Sequence, residues 1–355
     1  MTFLITIIAL GIVIFAHELG HMLVAKKAGV GVLEFSVGMG PKIYGKKVGE
    51  TLYCLRAFPF GGFVKLAGLD DDDDGAEPIP AELDFYEKSI ISRTAIIVAG
   101  CVTNIILGFL IYILIFLLSG NPIISNIVEQ VMPETPAYKV GLLAGDKILA
   151  IDGHKVINAE IDITKRIRQS ANKTLVIEYE RAAQTFSVNI TPEQAKNAKH
   201  VMIGVLLKQA GVNRNPILAV KNGAKETVNS IKMVFTSLSM LFTGKVSLKH
   251  MAGPIGIVQI AAFSLKKGLA GFLNIMALIS VSLGVINLFP FPVLDGGHIL
   301  FLALEAIRKK RLGKKTETII TNMGAAVLIS LMLIIIVNDV VFWKERLLFL
   351  KSLKS

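Results

Sequence analysis

The chain has 355 residues, 53% of them hydrophobic, and a mean hydropathy of +0.61. That excludes an ordinary water-soluble domain and fits a helical protein crossing a membrane several times, with the lipid bilayer as its first partner. The net charge of +11 is then a matter of topology and anionic lipid, so no nucleic-acid partner is expected.

Four apolar runs stand out: Phe3 to Ala25, Thr94 to Leu118, Leu269 to Leu288 and Ile319 to Val337. Each is near the ~20 residues that cross a bilayer. The first run lacks the basic leader of a signal peptide and contains His17-Glu18-Leu19-Gly20-His21. Residues four apart share a helix face, so the two imidazoles point the same way. This is the H-E-x-x-H signature, in which the histidines bind Zn²⁺ and the Glu is general base on the attacking water. A charged residue at a membrane centre costs roughly 2.5–3.5 kcal/mol. Three ionisable groups in one turn need a compensating partner, and a metal supplies one. A chance match on a soluble amphipathic helix is the rival, and the flanks, apolar all round, speak against it.

Basic residues set the orientation. Lys26 and Lys27 follow the first run, Lys88 and Arg93 precede the second, and Arg308 to Lys315 form a dense basic loop before the fourth. These places are expected to be cytoplasmic, with both termini and the long region from Gly120 to Lys267 outside. Lys344, Arg346, Lys351 and Lys354 in the tail pull mildly the other way. Within the first loop, Thr51 to Leu66 has strand-like composition, and Gly61-Gly62 can make a turn or bulge. It reads either as a small surface hairpin or as a hairpin dipping toward the histidines, with an edge strand for an extended peptide. The acidic run Asp70 to Asp74 reads as a solvated loop tip. Cys54 in this loop and Cys101 in the second run lack zinc-knuckle spacing and suggest no disulfide framework.

The region beyond the second run opens at Ser119-Gly120-Asn121-Pro122 and splits in two. Ile123 to Gln209 has the size of a small α+β domain. It carries a helix-like stretch at Ile161–Ser170 and strands at Thr174–Tyr179 and Phe186–Ile190. From Asn215 to Lys267 the pattern is helical and amphipathic, as in Ala224–Phe242, up to a break at Gly253-Pro254-Ile255-Gly256. This piece is expected on the membrane surface or packed on the small domain. The expected divisions are residues 1–120, 121–210, 211–268 and 269–355.

Catalytic zinc wants three protein ligands and one open position. Asn287-Leu288-Phe289-Pro290-Phe291-Pro292-Val293-Leu294-Asp295-Gly296-Gly297-His298 supplies candidates. Pro290 and Pro292 break the helix, and non-helical backbone at membrane depth belongs where it lines a cavity. Asp295 then starts a renewed helix, Gly297 to Ile307, and completes a His₂Asp set. His298 is the rival ligand, and Asp295 is preferred because His₂-plus-carboxylate is the common hydrolytic set. Asn287 can hydrogen-bond a substrate backbone; the plainer reading is that Asn287 and Asp295 cap broken helix ends. At 1.5 Å per residue, the histidines lie roughly 7–13 Å from the cytoplasmic edge.

These motifs, in this order, resemble the site-2 protease family, in the branch of the bacterial regulator-of-sigma-E proteases. The resemblance rests on His17 to His21 and on the N-x-x-P-x-P-x-L-D-G-G run from Asn287 to Gly297. Phe60 to Lys65 matches the family's membrane-reentrant β-loop, Gly100 to Asn104 its G-x-x-x-N motif, and Gly141 to Gly153 the core of a PDZ domain. There is room for one PDZ domain, where the best-known members carry two in tandem. The implied fold is a polytopic α-helical membrane protein of four transmembrane helices, with a reentrant β-hairpin and an inserted extracytoplasmic PDZ domain, in a bacterial cytoplasmic (inner) membrane.

The implied activity is zinc-dependent hydrolysis of a peptide bond in or near a membrane span. His17, His21 and Asp295 would hold Zn²⁺ and Glu18 would move the proton. Asn287 and Asn104 would clamp unwound substrate backbone beside the strand that carries Gly61, Gly62 and Phe63. The implied partners are single-span membrane proteins, such as anti-sigma factors or signal-peptide remnants, already trimmed by an upstream site-1 protease. The PDZ domain would be a steric filter or would bind a new C-terminus along Met202 to Val205. Two other readings compete. A metal transporter could use the same His and Asp, but has no use for the PDZ-like domain. A scaffold needs no Glu18.

Overall fold

A computed structural model describes residues 2–69, 80–171, 173–194, 201–244 and 253–343. The chain forms two compact units, Met1–Leu118 with Pro216–Ser355, and Ser119–Asn215.

In the first unit, α1 (Thr2–Lys27) and α2 (Ile90–Ser119) precede the excursion into the second unit. After it come α3 (Pro216–Phe242), α4 (Pro254–Lys267), α5 (Leu269–Asn287), α6 (Asp295–Arg308) and α7 (Lys314–Val341). Among the described residues, α1, α2, α5 and α7 are long and apolar enough to cross a membrane. α1, α2 and α7 outrun their apolar runs because polar ends continue the helix, whereas α5 stops at Asn287, one residue short of its run. Lys26 and Lys27, for instance, sit in the last turn of α1, where cations favour the helix dipole. Of the four, α5 is the most enclosed and α7 the least, with 39% and 6% of their apolar stretches buried.

Lipid offers no hydrophobic drive between helices, so close backbone contact must hold them. Gly20 provides it on α1: a Cβ there would lie 2.6 Å from the Ala99 carbonyl oxygen of α2. Gly284 provides it on α5, where a Cβ would lie 2.6 Å from the Cys101 carbonyl oxygen. The backbone of α2 is thus gripped from two sides at 99–104. At its start, buried Arg93 makes a two-pronged ion pair with Glu305 of α6, at 2.6 and 3.0 Å.

Two segments differ from expectation. The stretch read as a surface piece is α3, and it packs along α2 and α5. Ala219, Gly223, Thr227, Ser230 and Val234 form its buried stripe, and the hydroxyls of Ser230 and Tyr112 bond at 2.7 Å. Small residues let α3 approach membrane helices that a bulky apolar face would hold off. The Gly253-Pro254 break also starts a further helix, α4, with Pro254 at its first position, where a missing N–H costs nothing. Asp339 of α7 caps it, accepting from the backbone N–H groups of Gly253 and Gly256 at 3.0 and 2.9 Å.

The hairpin is also larger than Thr51–Leu66. It joins β1 (Val32–Val48) to β2 (Thr51–Leu66) and closes through Gly49-Glu50. Gly38, Gly40, Pro41 and Gly45 interrupt any alternation in β1, which hid it from pattern reading. Glu34–Val37 pairs with Leu52–Leu55 on one side and Gly62–Lys65 on the other. The ribbon therefore folds back on itself, and Gly61-Gly62 lies inside β2 at a register shift, not at the turn. The Asp70–Asp74 run and Lys344 to Lys354 lie outside the described residues.

The second unit is built on a sheet of β3 (Asn121–Val131), β4 (Lys147–Ile151), β5 (Leu175–Arg181), β6 (Gln184–Ile190) and β7 (Val205–Asn213). Its order is β7-β3-β4-β5-β6, antiparallel throughout, with the two-residue strand His154–Lys155 paired to β4. Ile148, Ile151, Ile177 and Ile190 from its strands bury against Ile163 and Ile167 of a short helical segment at 160–169. Burial alone would push the Asp146 carboxyl up. Hydrogen bonds from Arg181, both 2.7 Å, and from the Leu143 N–H outweigh it and hold Asp146 below the usual carboxylate range.

Glu305→Ala leaves the buried Arg93 guanidinium without its counter-charge and is expected to cost about 3–5 kcal/mol of stability. Arg93→Leu combined with Glu305→Leu should recover most of that loss. Thermal unfolding of the detergent-purified protein measures both.

Candidate metal centre

His17 and His21 lie one turn apart on the same face of α1 and are 5% and 7% exposed. Their Nε2 atoms face each other at 3.1 Å. The third group arrives from the break between α5 and α6. Pro290 and Pro292 end the helical run, and Val293 takes a φ of 91°, a region a β-branched residue rarely enters. Gly297 lets the chain fold over itself, since a Cβ there would lie 2.5 Å from the Phe291 carbonyl oxygen. Asp295 then opens α6 with its carboxylate turned to α1. Its Oδ2 lies 3.2 Å from His17 Nε2 and 3.6 Å from His21 Nε2.

Among the described residues, His17, His21 and Asp295 form a group able to hold a metal ion. A tetrahedral ion with bonds of about 2.0–2.1 Å sets its ligands about 3.3 Å apart. The three separations, 3.1, 3.2 and 3.6 Å, bracket that value, so the donor set fits one Zn²⁺. An all-nitrogen-and-oxygen set of two imidazoles and a carboxylate also suits a hydrolytic zinc.

The surroundings come from α2 and β2. His21 Nδ1 bonds the Ile96 carbonyl oxygen at 2.8 Å. Gly100 lies against the His21 ring, with no space for a Cβ. The Cys101 thiol donates to Asp295 Oδ2 at 3.2 Å. The Asn104 side-chain amide lies 3.4 Å from His17 Nδ1, and Asn287 Nδ2 lies 3.3 Å from His17 Nε2. From β2, a Cβ on Gly62 would lie 3.8 Å from Glu18 Cγ. Gly61 abuts Met39, and the Phe63 ring packs under Arg56 at 4.9 Å, so of the three hairpin residues Gly62 is the one at Glu18. His298 is not brought to the donors; it lines a small cavity with Leu69, Phe85, Tyr86 and Phe301. Sequence reading placed Gly100 and Cys101 in the G-x-x-x-N run without giving either a role, and missed Ile96. The signal for the first two was the run of small residues beside Asn104; nothing in a sequence marks the backbone carbonyl of Ile96.

Membrane-length helices enclosing two imidazoles, a carboxylate and a neighbouring glutamate define an intramembrane metallopeptidase. The chain belongs to peptidase family M50, the site-2 proteases, whose family pattern matches residues 5–331. It is similar to the zinc metalloprotease RasP of Geobacillus kaustophilus, 30% identical over 407 aligned positions, covering 94% of this chain and 96% of the relative. It is also similar to the regulator of sigma-W protease RasP of Bacillus subtilis, 29% identical over 409 positions, covering 94% of this chain and 97% of that one. The protein is accordingly a multi-pass membrane zinc metalloprotease of the site-2 type.

Removing the carboxylate in Asp295→Ala is expected to strip most of the bound zinc. Gly100→Val, which drives a side chain into the His21 ring, should lower zinc content while Asp295 stays in place. Metal analysis of the purified variants beside wild type reads both.

Proposed function

We propose that His17, His21 and Asp295 hold the Zn²⁺ and that Glu18 is the general base. The observation that carries this reading is the convergence of the three donors within 3.1–3.6 Å one residue from a carboxylate with no ligand role. Bound Zn²⁺ lowers the pKa of a water to about 7 and polarises a carbonyl. Glu18 takes a proton from the attacking water and delivers it to the leaving amine.

A membrane-spanning substrate hides its backbone in helical hydrogen bonds and must unwind to be cut. The edge of β2 beside Glu18 offers replacement bonds by strand addition, with Gly62 at the point of nearest approach. Asn287 lies on the same side of His17 as Asp295 and clamps the unwound segment. In this role β1 and β2 form a membrane-reentrant hairpin. The Gly141–Gly153 motif and five-stranded sheet support reading the second unit as an extracytoplasmic PDZ domain. A cleft of about 360 Å³ there is lined by Ile163, Ile167, Met202, Ile203, Gly204 and Val205. The unit serves as a steric filter, and the cleft is where a trimmed chain end would lie. The site faces the cytoplasmic half of the membrane, with both termini outside.

The name of the Bacillus subtilis relative assigns it to sigma-W regulation. By that analogy the substrates here are single-span anti-sigma factors, together with signal-peptide remnants, after a first cut by a site-1 protease.

Glu18→Gln removes the base and leaves the ligands. In reconstituted protein with a single-span substrate, its cleavage rate should fall by about 10²–10⁴-fold with zinc content unchanged. Equal cleavage by the variant, or none by wild type, would sink the reading.

A further inference from the structure

The two imidazoles differ in how their far nitrogens are held. His21 Nδ1 faces the Ile96 carbonyl oxygen at 2.8 Å. A carbonyl can only accept, so Nδ1 carries the proton and Nε2 keeps its lone pair toward Asp295 and His17. His17 Nδ1 faces the amide of Asn104 at 3.4 Å. Asn104 is 0% exposed, and its amide oxygen, turned away from the ring, is buried without a hydrogen-bond partner among the described residues. An amide nitrogen donating to Nδ1 would force the His17 proton onto Nε2. That atom stands 3.1 Å from His21 Nε2 and 3.2 Å from Asp295 Oδ2, where a proton would block metal binding. The two arms of an amide have the same shape, and the hydrogen-bond network decides which faces the ring. Turned over, Asn104 presents Oδ1 to Nδ1–H.

We propose that Asn104 is a positioning residue for the metal centre: its Oδ1 accepts the Nδ1–H of His17 and keeps the Nε2 lone pair on the metal side, as the Ile96 carbonyl does for His21. Metal-bound histidines commonly give their other N–H to such an acceptor, which fixes the tautomer and raises ligand basicity. This rests on reading His17 and His21 as ligands. It also removes Asn104 from the substrate contacts. The residue is sealed between helices, with Ser280 Oγ donating to its backbone carbonyl at 2.7 Å and Gly284 packed against its Cβ. The two asparagines near His17 thus divide its ring, Asn104 at Nδ1 and Asn287 at Nε2. The close contacts at Gly20 and Gly284 are what bring Asn104 within reach.

The full-length protein in detergent provides the test, by zinc competition against a fluorescent chelator and by the visible spectrum of the Co²⁺-loaded form. Asn104→Leu removes the acceptor and should weaken zinc binding about 10–100-fold. Asn104→Asp can only accept; it should hold zinc within a few-fold of wild type and shift the Co²⁺ bands, because a carboxylate makes the imidazole a stronger donor. Zinc binding by Asn104→Leu equal to wild type would overturn the proposal. So would Asn104→Asp as weak as Asn104→Leu, or a rise in KM in both variants with zinc affinity unchanged. Wild type that binds no zinc would instead overturn the ligand reading beneath it.

Discussion

Ionisable side chains inside an apolar membrane must be compensated, and the fold of the first unit answers to that requirement. His17, Glu18 and His21 sit in a helix whose other faces are apolar, and Asp295 joins them from a second segment. Unpaired, each would carry a desolvation cost that no packing at that depth could offset. Brought together, they offset one another's charge in a group able to hold a metal ion. The arrangement works only if three separate helical segments meet within hydrogen-bonding distance, and much of the first unit is organised to make that happen.

α2 is the element that does so. Its backbone is approached by α1 at Gly20 and by α5 at Gly284. The same two turns supply the Ile96 carbonyl behind His21, the space at Gly100, the Cys101 thiol on Asp295 and the Asn104 amide at His17. At its start, Arg93 holds α6 through Glu305, and α6 carries Asp295. Small residues therefore act indirectly: they let helix backbones approach until side chains and carbonyls of one helix can orient the candidate ligands of another. The β1–β2 hairpin adds the remaining wall by bringing Gly62 to Glu18.

Much of this was legible in the linear chain, for reasons of period and length. His17 and His21 share a face because a helix repeats every 3.6 residues. The four membrane-length helices followed from continuous apolar runs, and the break at Pro290–Pro292 from chemistry that forbids a helix. The hairpin was only half visible, since β1 is punctuated by Gly38, Gly40, Pro41 and Gly45 and shows no alternation. α3 was visible as a helix, but its partner was not. A stripe of Ala219, Gly223, Thr227, Ser230 and Val234 is too polar for a hydropathy scan to place among membrane helices.

The linear chain already carried the chemistry: two imidazoles and a glutamate within one turn, a carboxylate after a pair of prolines, and enough apolar length to hold them in a bilayer. These are local properties, set by residue type and helical period. It took the folded packing to show that Asp295 and not His298 faces the imidazoles, that Gly62 is the hairpin residue beside Glu18, and that Asn104 is fully buried behind His17. Each of those depends on which helix faces come into contact and how closely. That is fixed by packing between residues up to hundreds of positions apart, which no local pattern encodes.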